Sequence, residues 1–135
     1  MNNLLSAIMT KCSGTDLSTA VGGRIYLDEA PDSAEFPYVV FSIVSASPED
    51  TFKDKLDDVL IQFSIFSTSR GATEITDIHG HLIALFDDAA LSITGDTCVW
   101  CIRQNLVTMV DEITTPTGTE TLKHWAVDYS IMVEK

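Results

Sequence analysis

From Tyr38 to Val44 the chain runs Tyr-Val-Val-Phe-Ser-Ile-Val, a nearly unbroken apolar stretch rich in β-branched and aromatic residues. A run of that length and composition is a strand, and without polar alternation both of its faces must be hidden. The fold therefore has to supply a sheet with material on either side of it. Pro37 stands just before the run, where its missing N–H does least damage to a ladder, and it pushes Phe36 toward extended geometry. Upstream, Gly22 and Gly23 end a short helical segment, and Pro31 and Pro37 punctuate an acidic loop.

The rest of the chain supplies partners for that strand. Leu4, Leu5, Ile8, Met9 and Cys12 recur at helical spacing and predict an amphipathic helix that Gly14 stops. Thr15 or Asp16 caps a second short helix through Val21. Strand one, about residues 38 to 46, is followed by a long connection and by strand two, about 58 to 68. In strand two Val59, Ile61, Phe63 and Ile65 share one face, while Leu60 and Phe66 join Gln62 and Ser64 on the other. From about Gly71 to Asp88 the period becomes helical, with Ala72, Ile75, Ile78, His79, Leu82, Leu85 and Phe86 on one stripe and Gly80 inside it. Asp87 and Asp88 then stand at the negative end of the helix dipole, a place that calls for a basic partner or water. Strand three, from Thr97 to about Met109, and strand four, from Leu122 to Val133, flank an acidic, Thr-rich loop containing Pro116 and Gly118.

These elements predict one α+β domain over residues 1–135, in the order α-α-β-β-α-β-β. The expected architecture is a mostly antiparallel four-stranded sheet of two hairpins with helices packed on one face. Two or three helices cover only one face of such a sheet. Leaving Val39, Phe41, Ile43 and Phe66 wet on the other would forfeit about 1.5 to 3 kcal/mol per large side chain, so they are the expected second-face interface. Either the long connection folds back over them or a neighbouring copy covers them.

Charge narrows the partners. Twenty acids against eight Lys plus Arg give a net charge of −12, which opposes tight binding to nucleic acid or to an anionic membrane surface. No apolar run approaches the roughly 20 residues of a spanning helix, and Met1 to Cys12 lacks the basic and apolar regions of a secretory signal. A soluble, cytoplasmically made protein is expected. Its three cysteines, Cys12, Cys98 and Cys101, are expected to be reduced and buried.

Motifs for chemistry are weak. Cys98-Val-Trp-Cys101 has the C-x-x-C spacing, yet it lies in a strand pattern where residues three apart point to opposite faces, so core packing is expected. His79, His81 and His124 lack the spacing of a zinc site. Four adjacent acid pairs, Glu49-Asp50, Asp57-Asp58, Asp87-Asp88 and Asp111-Glu112, fall at loops or element ends and read as solvated surface. No nucleophile elbow, phosphate-binding glycine loop or calcium loop occurs. No catalytic, cofactor or metal residue is assigned, and no enzyme activity or cofactor is expected.

A helical N-terminus, the Gly22-Gly23-Arg24-Ile25-Tyr26 turn, the Ala30-Pro31 loop, the Phe36-Pro37-Tyr38-Val39-Val40 strand and the Ser45-x-Ser47-Pro48-Glu49-Asp50-Thr51-Phe52 loop together resemble the tailed-phage tail-completion proteins. The resemblance covers most of the chain and extends to tail terminators and tail-to-head joining proteins. It implies a structural protein of a phage or prophage virion, assembled in the bacterial cytoplasm. Such a protein completes or terminates the tail tube and joins it to the head connector. The implied partners are further copies in a homo-oligomeric ring, a hexamer being one such size, the tail-tube protein and a head–tail connector protein. The ring forms either beforehand or on docking. The long connection is the expected lumen or subunit-contact loop, with Glu49, Asp50, Phe52, Asp54, Asp57 and Asp58 as its contact residues. A second reading from residues alone is a small acidic monomeric module that binds or inhibits a basic partner protein.

Overall fold

The computed structural model describes every residue except Met1, Asp32, Thr51, Asp54, Arg70 and Thr117, and gives the backbone but not the side chains of residues 113–115. Helix α1 spans Asn2–Cys12 and α2 spans Asp16–Ala20. Strands β1, β2 and β3 cover Ile25–Leu27, Tyr38–Pro48 and Leu56–Ser67. Helix α3, Thr73–Phe86, precedes β4, Thr97–Thr115, and β5, Gly118–Glu134.

The sheet has five strands in the order β1-β2-β3-β5-β4, with β1 parallel to β2 and every other pair antiparallel. The expectation of four strands is corrected here. Ile25, Tyr26 and Leu27 form a short parallel strand against Val39, Val40 and Phe41, where the sequence pattern predicts only a turn. Gly22 and Gly23, at φ of 61° and 77°, reverse the chain so that it can enter β1, a left-handed backbone that favours glycine. Arg24 then donates through Nε to the Pro37 carbonyl at 3.0 Å, holding β1 beside the start of β2.

The core lies between the helices and one face of the sheet. Leu4, Ile8 and Cys12 of α1, Leu17 of α2, and Ile75, Ile78, Leu82 and Phe86 of α3 are all buried, each set recurring at one-face helical spacing. They meet the alternating residues Val59, Ile61, Phe63 and Ile65 of β3 and Val127, Tyr129, Ile131 and Val133 of β5. Phe63 lies at the middle, with ring centroids of Phe86, Tyr129 and Phe41 at 4.7, 5.7 and 5.9 Å. Thr15 caps α2, its side chain accepting from the Ser18 amide.

The β2 register corrects the assignment of the second face. Val39, Phe41 and Ile43 stand opposite Ile65, Phe63 and Ile61, so they point toward the helices. Val39 and Phe41 are fully buried in the chain's own core, and Ile43 packs against it. Of the four second-face residues, Phe66 alone lies on the uncovered side, where its ring stacks on His124 at 4.3 Å and neighbours Tyr38 at 5.0 Å. The uncovered face of β2 presents Tyr38, Val40 and Ser42, all half-buried.

Residues 110–115 and 118–121 are also strand rather than loop. Pairing continues from Val110↔Lys123 through Asp111↔Leu122 to Thr115↔Gly118, while β3 stops at Ser67↔Lys123. Five further residues on β5 carry the hairpin roughly 16 Å past the sheet at a strand rise of about 3.3 Å per residue. β-Branched threonines suit the extended backbone, and Pro116 and Gly118 mark only the turn.

Candidate functional site

Among the described residues, the registers put the β2–β3 connection and the β4–β5 hairpin at opposite ends of the sheet. Residues 49–55 join β2 to β3 beside Leu56, Glu134 and Thr97. The β4–β5 hairpin leaves from the end marked by Ser67, Lys123 and Val110. The first projection is shorter than its sequence suggests, because β2 runs to Pro48 and β3 begins at Leu56. It is tied to itself: the Glu49 amide donates to the Leu56 carbonyl at 2.8 Å, and Asp50 accepts from the Leu56 amide at 3.2 Å and pairs with Lys55 at 3.6 Å. Glu49 and Asp50 are exposed, and Phe52 is fully exposed. Asp54 lies outside the described residues.

Asp57 and Asp58 belong to β3 and point to opposite faces. Asp57 accepts an ion pair from Lys135 at 2.6 Å. Asp58 accepts from the Ser130 hydroxyl at 2.7 Å, and that oxygen in turn accepts from Trp100 Nε1 at 3.3 Å. Asp58 therefore helps fix an indole on the uncovered face. Beside it Gln62 donates to Asp128 at 3.1 Å.

Asp87 has the basic partner that its place at a helix C-terminus calls for. It lies 3.4 Å from Arg103 of β4 and accepts from the Tyr129 hydroxyl at 2.6 Å. Burial first, and this hydrogen bond second, raise the Tyr129 phenol above its ordinary value, so it stays a donor.

The cysteines are placed differently from the simple alternation. A β-bulge between Cys98 and Trp100 puts Cys98 opposite Val133 and Cys101 opposite Ile131, both on the helix side. Cys12 and Cys101 are buried and Cys98 is half-buried. Burial pushes the Cys12 and Cys101 thiols up to about 12, the reverse of what a nucleophilic thiolate needs. His79 packs edge-on against Trp125 at 5.6 Å, and burial lowers its basicity and that of His124. Among the described residues no group of three His, Cys, Asp or Glu side chains converges as metal ligands.

Among the described residues, two of the open clefts, of about 390 and 380 Å³, lie at residues 91–98 and between Thr68, Ser69, Gly71 and the base of the hairpin. The first holds Cys98 and Asp96 without a histidine. In the second, Lys123 donates to the Ser69 carbonyl at 2.6 Å. Neither arranges a nucleophile beside a base that could activate it.

The most unusual surface is β4, which pattern reading takes for an ordinary hairpin strand. It pairs only with β5, Cys101 is its one buried residue among those with described side chains, and exposed apolar side chains run from Val99 to Val110. Trp100 is 39% exposed and Val110 66%. The signal in the sequence is the lack of charge: from Thr97 to Val110 the one charged residue is Arg103. Such a strip on an outer strand marks an interaction surface.

Two solved structures share the fold. A chain of the virion of a native gene transfer agent particle superposes with a TM-score of 0.67 at 14% identity, over 96% of this chain and 92% of that one. A second solved chain gives 0.55 at 11% identity, over 96% and 94%. No curated protein matches the sequence. The family profile described as tail completion protein gp17 matches residues 6–134.

Proposed function

Because the chain belongs to the tail completion protein gp17 family, we propose that it is a ring-forming subunit that completes or terminates a phage or prophage tail tube and joins it to the head connector. The protein is a structural component of a phage-type tail. The observation that carries the finer reading is the exposed, apolar β4, whose polar contacts outside β5 include the Asp88 amide, 3.0 Å from the Cys101 carbonyl, and the Arg103–Asp87 pair; burial of its apolar surface in an assembly would stabilise it, and its exposure in a lone monomer would invite aggregation.

Placement of the two projections supports a joining role. A subunit with residues 49–55 at one end of its sheet and the hairpin at the other reaches two different assemblies, the tail tube and the connector, while copies of itself lie alongside. Glu49, Asp50 and the bare ring of Phe52 are the contacts at one end, and Asp111, Glu112 and Glu120 make the other end acidic. Both suit partners with basic or apolar docking surfaces. Asp58 and Asp128, on the face left open by the helices, give a ring lumen that repels phosphate and lets a DNA duplex pass.

Producing cells that lack this chain test the reading by electron microscopy. Heads and tails should accumulate unjoined, and supplying the chain should restore whole particles. Normal numbers of intact particles in its absence would refute the role.

A further inference from the structure

The ring reading leaves open how one copy holds the next, and the two margins of the sheet answer it. Among the described residues, the exposed large apolar side chains other than Phe52 lie on the outer strands: Leu27 of β1 and Val44 of β2 on one margin, and the β4 run on the other. Past Phe41, whose carbonyl accepts from the Asp28 amide at 2.9 Å, no strand among the described residues pairs with the outer edge of β2.

The registers put these residues at matching heights. One row across the sheet reads Leu27, Phe41, Phe63, Val127 and Leu106. Another reads Ser45, Leu60, Ser130 and Ile102, and the β2 irregularity sets Val44 between it and the row ending at Arg103. The bulges near Val99 and Gln104 leave Ile102 and Leu106 each inside a regular interval of β4. Strand sense matches too. Three successive antiparallel pairings make β4 antiparallel to β2 and to its parallel neighbour β1. A second copy at the same height and in the same orientation therefore meets β4 with an antiparallel edge, the arrangement that β-ladders readily form.

Charge selects the occupant. Two copies of a chain with net charge −12 repel over most of their surfaces. Tyr38 to Pro48 contains no Asp, Glu, Lys or Arg, and Arg103 of β4 is already paired with Asp87. Repulsion is thus weakest and apolar surface richest along Tyr38–Pro48 and Thr97–Val110, while Asp28 and Glu29 follow Leu27 and the Asp88 amide donates to the Cys101 carbonyl at 3.0 Å. β4 also lacks the lysine or proline that commonly blunts an edge strand.

We propose that adjacent copies join edge to edge, β4 of one against the β1–β2 margin of the next, with Ile102 beside Val44 and Ser45, and Leu106 beside Leu27. This assignment rests on the ring reading. The contact is heterologous, so each copy keeps a complementary free margin and the series continues until it closes. A β4-to-β4 contact would be two-fold and would stop at two.

Oxidative cross-linking distinguishes these cases, on the free protein and on tails purified from producing cells, with Cys98 replaced by serine throughout. The variant carrying Ile102→Cys and Ser45→Cys together should give a ladder of covalent multimers beyond the dimer, and each substitution alone should give no cross-link. Dimers from Ile102→Cys alone would overturn the proposal in favour of a β4-to-β4 contact. Rings seen by microscopy without any cross-link would overturn the edge assignment and leave the ring reading standing. Absence of the protein from tails would remove both. As a second check, Ile102→Lys should lose assembly while unfolding as cooperatively as the parent.

Discussion

β3 and β4 are both rich in apolar residues, but they live in opposite surroundings. In β3 Val59, Ile61, Phe63 and Ile65 share one face and all vanish beneath the helices between two paired neighbours, while Leu60 and Phe66 on the other face are half-buried. In β4 they crowd both faces, two bulges interrupt the alternation, and one side has no partner strand. The first strand spends its apolar surface on the fold. The second holds surface that the fold of one chain does not use, which is why stability and assembly should respond to different substitutions.

Phe63→Ala should give the largest loss of stability, about 3 to 5 kcal/mol, because it empties the centre of an aromatic cluster that β2, β5 and α3 share. Urea unfolding checks it, and a small effect would mean that the β3 side is less tightly packed than its burial indicates. Asp87→Ala comes next. It leaves the buried Tyr129 hydroxyl without its acceptor, at a cost of about 1 to 3 kcal/mol, measured the same way.

A pH dependence should follow from the histidines. Burial holds His79 and His124 below the ordinary value of 6.5, so the unfolded chain binds more protons than the folded one as pH drops through that value. Their contribution is intact above about pH 6.5 and shrinks below it. The urea midpoint should therefore fall between pH 7.5 and 5, and it should fall less in His124→Phe; an equal fall would remove His124 from the account.

Gly80→Ala should stabilise by about 0.5 to 1 kcal/mol, since the glycine is exposed in mid-helix and an added Cβ meets nothing within 4 Å. On β4, Val107→Thr should change monomer stability by no more than about 0.5 kcal/mol, as substitutions at exposed positions usually do. A loss comparable to that of Phe63→Ala would erase the distinction between the two strands.

Much of this was legible in the sequence. Helical spacing located α1 and α3, alternation located β3 and β5, and the turn and core motifs carried the family. What escaped shares one physical character: it depends on pairing across the chain. Ile25 to Leu27 is too short to show a period, and only its long-range partner, β2, makes it a strand. The bulge that brings Cys98 and Cys101 to one side breaks the alternation from which their directions were inferred. Val39, Phe41 and Ile43 were apolar enough for either face, and their register with Ile65, Phe63 and Ile61 decided it. The edge position of β4 followed from strand order, which no local pattern contains.

Electron cryo-microscopy of tails purified from producing cells tests the central claim most directly. The account predicts a closed ring of copies of this chain at the head-proximal end of the tube, with the β4 margin of each copy buried against its neighbour. Tails joined to heads with no such ring, or with this chain present as isolated copies whose β4 margin faces solvent, would contradict it.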